Sequence, residues 1–198
     1  MTAIQTAPDF KQLDIHFSPT ELLADLDKIE TPEWIEHVNQ RAYNGNWDVF
    51  PLRCDAQHVD AHPILQSFAL EGVTRWKNLP IVDQCPSFKT VLDKLQSHHF
   101  HIYSARLMRL HAGSEITEHV DHGVGHACGE VRLHVPITTN PKVEFKVNRK
   151  QVPMQPGELW YIDADKPHSV ANRGETDRVH LVIDGKVNEW LNEQLTSH

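Results

Sequence analysis

Val131-Arg132-Leu133-His134-Val135-Pro136-Ile137 is the stretch whose alternation decides the fold. Side chains along a strand point to opposite faces in turn, so Val131, Leu133, Val135 and Ile137 share one face while Arg132 and His134 share the other. Arg178-Val179-His180-Leu181-Val182-Ile183-Asp184 repeats the pattern, with Val179, Leu181 and Ile183 opposite Arg178 and His180. In Glu115-Ile116-Thr117-Glu118-His119-Val120-Asp121, His119 and Asp121 are two apart and project to the same side. The simplest reading gives the apolar faces to the core and the polar faces to water. These polar faces, however, carry His, Asp and Arg rather than the Lys, Glu, Thr and Ser of a solvated surface. Gathered inside a small barrel they are costly to desolvate, and they call for a metal or an anion to offset that cost.

The same period of two runs through the second half of the chain. Strands are expected at 101–110, 115–121, 130–138, 143–147, 158–163 and 177–184, punctuated by Gly113, Gly123, Gly125, Asn140-Pro141, Pro156-Gly157 and Gly174. Short strands at such intervals indicate a β-sandwich or barrel. The first hundred residues read mainly as helix. Ser18-Pro19-Thr20-Glu21 has the form of a helix start, with Leu22, Leu23, Leu26 and Ile29 at helical spacing behind it. Thr31-Pro32-Glu33 reads as a second start, with Trp34, Ile35 and Val38 inward, and residues 86–95 as a further helix burying Phe88, Val91, Leu92 and Leu95. Residues 47–52 form a strand on this reading. The expectation is one domain over 1–198: a helix-rich part at 1–99 packed on the barrel, a β core with the site at 100–185, and a closing helix within 186–198.

Length and composition narrow the function. A chain of 198 residues holds one core, and its net charge of −8, without a Lys/Arg cluster, argues against nucleic acid as the main partner. No segment approaches a membrane span, and residues 1–10 have neither a basic start nor an apolar run, so neither membrane nor export is expected. Cys54, Cys85 and Cys128 are three and far apart, which is no disulfide framework and suits a reducing cytoplasm. Histidine is the anomaly: four of the fifteen, His119, His122, His126 and His134, fall within sixteen residues. His16, His37, His58, His98, His99 and His198 read as surface residues. Oligomeric state is left open.

His119-Val120-Asp121 forms an H-x-D pair, and Pro167-His168 is the natural source of a third ligand. Two imidazoles and a carboxylate on one face of an octahedron leave three positions open, as Fe(II) requires to hold a bidentate oxo-acid together with O2. Arg178, ten residues after His168 and on the polar face of its strand, can clamp a carboxylate in two-point fashion.

These residues resemble the aspartyl/asparaginyl β-hydroxylase-like dioxygenases, a family that includes bacterial cis-hydroxylases of free proline. The resemblance rests on Ser104 to Leu110, His119-Val120-Asp121, Val131 to Val135, Gly157 to Ala164 running into Pro167-His168-Ser169, and Arg178 to Asp184. It covers about half the chain and implies a mainly β protein with flanking helices, a cupin-like double-stranded β-helix or jelly roll. It further implies His119, Asp121 and His168 as iron ligands and catalytic centre, and Arg178 as the clamp on the distal carboxylate of the cosubstrate 2-oxoglutarate. Some members lack the carboxylate ligand; Asp121 aligns this chain with the bacterial amino-acid hydroxylases. The implied substrate is an amino acid, free or within a peptide or protein.

Arg132 and His134 read as a second anion-binding pair, for cosubstrate or substrate. Arg106 and Arg109 lie on opposite faces of their strand, and Arg106 is preferred as the inward, substrate-facing one. Trp160 reads first as core and second as a substrate-side wall. Three other readings compete. His119-Val120-Asp121-His122 resembles the tail of a zinc hydrolase motif, with Thr117 where a histidine is needed. A non-enzymatic, metal-binding cupin module fits the size, although Arg178 has no use in one. His122, His126 and Cys128 have zinc-like spacing, but the glycines among them indicate a loop over the site.

Overall fold

The computed structural model describes residues 7–29, 33–67 and 75–196. In chain order these form β1 (Phe10–His16), α1 (Pro19–Leu26), β2 (Ile35–Glu36), β3 (Tyr43–Asn44), β4 (Trp47–Asp55), α2 (Pro63–Gln66), β5 (Trp76–Asn78) and α3 (Pro86–Ser97). There follow β6 (Ile102–Leu110), β7 (Glu115–His119), β8 (Glu130–Thr138), β9 (Val143–Val147), β10 (Lys150–Gln151), β11 (Glu158–Ile162), β12 (His168–Asn172), β13 (Arg178–Lys186) and α4 (Glu189–Thr196). The larger sheet runs β1-β11-β8-β13-β6-β4-β2, with β5 added on β4, and the smaller runs β10-β9-β12-β7-β3. Every pairing is antiparallel. Two such sheets facing each other make the jelly roll that the alternation calls for.

The larger sheet has two different faces. Outward, Leu107, Leu133, Val135, Leu181 and Ile183 join Leu22 of α1, Phe88, Val91, Leu92 and Leu95 of α3, and Leu191 and Leu195 of α4 in one apolar core. Each fully buried side chain of this kind contributes roughly 1.5–3 kcal/mol. This layer gives the fold a core that needs nothing from the other face. Inward, between the sheets, a second cluster of Trp47, Val49, Met108, Ile116, Phe145, Trp160, Ile162, Val170 and Val182 surrounds a polar centre. Helix α1 starts where its sequence indicates, with the Ser18 hydroxyl accepting from the backbone N–H of Glu21 at 3.4 Å.

Two expectations need correction. The helix start at Thr31-Pro32 lies outside the described residues, but Ile35 and Glu36 are strand, paired with Val49 and Asp48 of β4. Pairing to an exposed sheet edge overrides the helical spacing there. Val38, expected inward, is exposed, while the Trp34 ring packs 5.9 Å from Phe50 with the Arg109 guanidinium 4.3 Å above it. The segment before residue 100 is also not mainly helical, since it supplies β1 to β5 to the two sheets. The strand at 168–172 has no local signal, because His168-Ser169-Val170-Ala171-Asn172 holds a single strongly β-favouring residue. It is fixed by neighbours on both sides, β7 and β9.

Candidate metal and anion site

His119 is the last residue of β7 and His168 the first of β12, and the two stand opposite each other in the ladder. Asp121 lies two residues past His119, its backbone N–H held by the Ala164 carbonyl at 2.9 Å. One ligand atom from each of the three falls within 4.8 Å of the others, the sole such group among the described residues. Both imidazoles are fixed in the useful tautomer. Nδ1 of His119 donates to the Thr117 carbonyl at 2.8 Å, and Nδ1 of His168 to the Lys166 carbonyl at 2.9 Å. Each Nε2 is thereby left as a lone pair, and these lie 3.7 and 3.9 Å from the Asp121 carboxylate oxygens. Burial pushes His168 down to about 4, against the opposing pull of its bond to Lys166, so it stays neutral. Burial works against the charge on Asp121, yet Arg132 holds it ionised below the usual carboxylate range. Two imidazoles with Nε2 turned to the site and one carboxylate form a donor set suited to ferrous iron.

The triad opens into a cavity of about 470 Å³, which also takes in Arg106, Arg132, His134 and Arg178. Apolar walls come from Met108, Ile116, Phe145, Ile162 and Val170. Arg178, 1% exposed, is the largest fully buried side chain described. Its Nη2 donates to Nδ1 of His180 at 2.7 Å, its Nε has no partner, and its guanidinium carbon lies 5.4 Å from the Phe145 ring centre. Burial alone pulls it down to about 9. The His180 nitrogen that accepts from Arg178 also sits 3.2 Å from Nδ1 of His134. Because Arg178 can only donate, the hydrogen between the two imidazoles belongs to His134. Its Nε2 is then a buried lone pair with no protein partner.

Arg132, as its alternation indicates, and Arg106, the preferred one of its strand's two arginines, are on the cavity side, but they are engaged. Arg132 bonds Asp184 through Nε at 2.7 Å and Nη2 at 3.1 Å, and its Nη1 donates to Asp121. Arg106 bonds Asp184 and Ser104 through Nη1, each at 2.9 Å, which leaves its Nε and Nη2 without these partners. Arg109 points the other way, to Asp48. Trp160 lies outside the cavity lining: it packs 6.3 Å from Phe10 and its indole N–H donates to Glu158 at 2.8 Å. The structure thus places Trp160 in the inner apolar cluster and not in the cavity lining. His122, His126 and Cys128 do not converge. The side chain of His122 is 91% exposed, and His126 pairs with Asn192 at 2.7 Å. Thr117 bonds the Ala42 carbonyl at 2.9 Å and adds no ligand, so the zinc hydrolase motif stays incomplete.

His37, which the sequence gives to the surface, is half-buried in the cavity lining. Its ring stacks on Trp47 with centroids 3.6 Å apart, Nδ1 accepts from the Asn39 backbone N–H at 3.3 Å, and burial lowers it to about 4. It is thus a neutral imidazole with its hydrogen on Nε2, in the lining alongside Arg106. No local signal marked it, because the segment reads as helix until β4 claims it.

Comparison with known proteins agrees with this geometry. The family model described as Aspartyl/Asparaginyl beta-hydroxylase matches residues 19–187. An L-proline cis-4-hydroxylase of Rhizobium meliloti is 27% identical over 172 residues, which is 86% of this chain; the chain spans 58% of that protein's length. In structure, a 2OG-Fe(II) oxygenase family oxidoreductase from Burkholderia pseudomallei aligns with a TM-score of 0.54 at 15% identity, over 83% of this chain and 78% of its own. A Pseudomonas putida prolyl-4-hydroxylase aligns with a TM-score of 0.54 at 10% identity, over 91% and 93%. At those identities the two structures speak for the shared jelly roll. With the family model covering most of the chain, this protein belongs to the aspartyl/asparaginyl β-hydroxylase family.

Proposed function

We propose that the protein is an Fe(II)- and 2-oxoglutarate-dependent dioxygenase, which uses O2 to hydroxylate an amino acid or amino-acid residue with release of succinate and CO2. The observation that carries this reading is Arg178. A guanidinium buried to 1% exposure, bonded to a neutral imidazole and, among the described residues, to no carboxylate, is a standing electrostatic cost. A two-point bond to a carboxylate removes that cost, and the cavity that contains it also contains the triad. 2-Oxoglutarate satisfies both ends at once.

On this reading His119, Asp121 and His168 hold the iron and Arg178 holds the distal carboxylate of 2-oxoglutarate. When bound, the iron with O2 supplies the oxidising chemistry that converts the oxo-acid to succinate and inserts an oxygen atom into a substrate C–H bond. The chain's own contribution is positional. His134 offers an acceptor beside Arg178, suited to a water that turns its other hydrogen to the carboxylate. Arg132 orients Asp121, while Arg106 keeps donors for a substrate carboxylate. Met108, Ile116, Phe145, Ile162 and Val170 keep water from the reacting centre. An amino-acid substrate is supported by Arg106 and by the hydroxylase relative that acts, by its name, on L-proline. The free thiols of Cys54, Cys85 and Cys128 favour a cytoplasmic setting.

The test is an anaerobic titration of Fe(II) into apoprotein with and without 2-oxoglutarate. The expected result is a weak visible charge-transfer band that needs both and is lost in His119→Ala. Metal-loaded protein that gives no band, or a band that persists in His119→Ala, rejects the assignment. Stimulation of 2-oxoglutarate turnover by L-proline and other free amino acids then identifies the substrate.

A further inference from the structure

Asp184 lies outside the cavity lining, yet the site's two engaged arginines converge on it. Arg132 bonds it through Nε and Nη2, at 2.7 and 3.1 Å, and Arg106 through Nη1 at 2.9 Å. The remaining Nη1 of Arg132 donates to the Asp121 carboxylate. Cation and anion alternate along one chain, Arg106 to Asp184 to Arg132 to Asp121, and the last member belongs to the metal triad.

We propose that Asp184 is a positioning residue that sets the metal affinity of the triad, by taking up the charge of Arg132 that otherwise bears on Asp121. The inference rests on the metal assignment above. A guanidinium bonded to a ligating carboxylate draws electron density from the ligand and repels a divalent ion a few ångströms beyond. Asp184, facing Arg132 with both oxygens, cancels most of that repulsion and holds the arginine in place. Arg106 works against this by sharing the same Asp184 oxygen that Nη2 of Arg132 uses. Removing Asp184's charge and removing Arg106's charge therefore shift metal binding in opposite directions. A substrate carboxylate that takes the other donors of Arg106 draws it from Asp184 and acts in the same direction as losing Arg106.

A role in folding alone predicts something different, because loss of either partner of a buried pair loosens the site and weakens the metal. The experiment is calorimetric titration of Ni(II), which does not react with O2 here, into metal-free full-length wild type, Asp184→Asn and Arg106→Gln. Circular dichroism confirms that each is folded. Asp184→Asn is expected to bind Ni(II) about tenfold more weakly and Arg106→Gln about threefold more tightly, from interaction of the ion with one unit charge at partly screened range. Wild-type affinity in Asp184→Asn, or weaker binding in Arg106→Gln, overturns the proposal while leaving the triad assignment intact. If Asp184→Asn does not fold, the sign of the Arg106→Gln shift decides alone. Failure of wild type to bind Ni(II), or equal binding by His168→Ala, removes the metal assignment and this inference with it.

Discussion

Nη2 of Arg178 donates to Nδ1 of His180 at 2.7 Å, a buried cation resting on a neutral ring two residues along its own strand. That arrangement stabilises nothing by itself, since burial pulls the guanidinium down to about 9 and no carboxylate among the described residues restores it. Arg178→Met should consequently make the ligand-free protein more stable, by about 1–4 kcal/mol, as when an apolar chain replaces a buried charge. It should also weaken 2-oxoglutarate binding at least about a hundredfold, the scale of truncating one partner of a buried charge pair. Thermal melts of the apoprotein alongside 2-oxoglutarate titrations check both. A variant that loses stability without loss of affinity contradicts the clamp.

Acid should destabilise the metal-free protein well before its carboxylates titrate. Burial holds His134 and His180 well below the usual histidine range, and His168 at about 4. Below pH about 6.5 the unfolded chain binds protons at these rings and the folded chain does not, so stability falls as pH drops from there towards 4. Each such ring contributes a slope of about 1.4 kcal/mol per pH unit. Asp121 and Asp184 act lower: held below the usual carboxylate range by their arginines, against the effect of burial, they lose their contribution only as pH falls below about 3.8. Urea midpoints in the presence of a chelator at pH 7.5, 6 and 5 measure the slope, and a flat series refutes it.

His37 lines the cavity with Arg106, the side chain proposed to meet the substrate. Loss of one hydrogen bond to a charged ligand group costs roughly 1.5–3 kcal/mol. His37→Ala should raise the KM for the stimulating amino acid at least about tenfold and leave the affinity for 2-oxoglutarate unchanged. Equal effects on both ligands would mean that the His37–Trp47 stack only supports the barrel.

Trp160→Leu should behave as a core substitution. It removes the contact with Phe10 and the bond to Glu158, at a cost of about 3 kcal/mol. The KM values of the folded variant should remain those of wild type in steady-state assays. A selective change in substrate KM would return Trp160 to the cavity wall.

A turn shows how a local requirement becomes global. Gly157 has φ of +84°, and a Cβ there would collide with the Phe17 carbonyl oxygen, the approach through which β1 joins β11. The Phe17 N–H and the Gly157 carbonyl bond at 2.8 Å. Gly157→Ala should destabilise by about 1–3 kcal/mol, read from urea denaturation, by straining the backbone at a left-handed position.

The sequence by itself determined which side chains share a face. Alternation in 131–137 and 178–184 is a property of the extended backbone, so Leu133 and Leu181 fall to the apolar core and Arg132, His134, Arg178 and His180 to the opposite side whatever their partners are. The same rule sets His119 and Asp121 on one side and Arg106 and Arg109 on opposite faces, without deciding which of the two arginines points inward. Helix α3 was legible from its spacing for the same local reason. What only the tertiary structure decided is who meets whom across the barrel. Asp184 joins Arg132 across fifty-two positions and Arg106 across seventy-eight, which follows from the order of β6, β13 and β8 in the sheet rather than from any motif. His37 enters the cavity, and residues 35–36 become strand, because β4 offers an edge that outweighs a weak helical preference. Local physics sets the direction of a side chain, whereas its charge partner is set by contacts distant in sequence, so alternation turns Arg132 to the site while the sheet order brings the two carboxylates that hold it there.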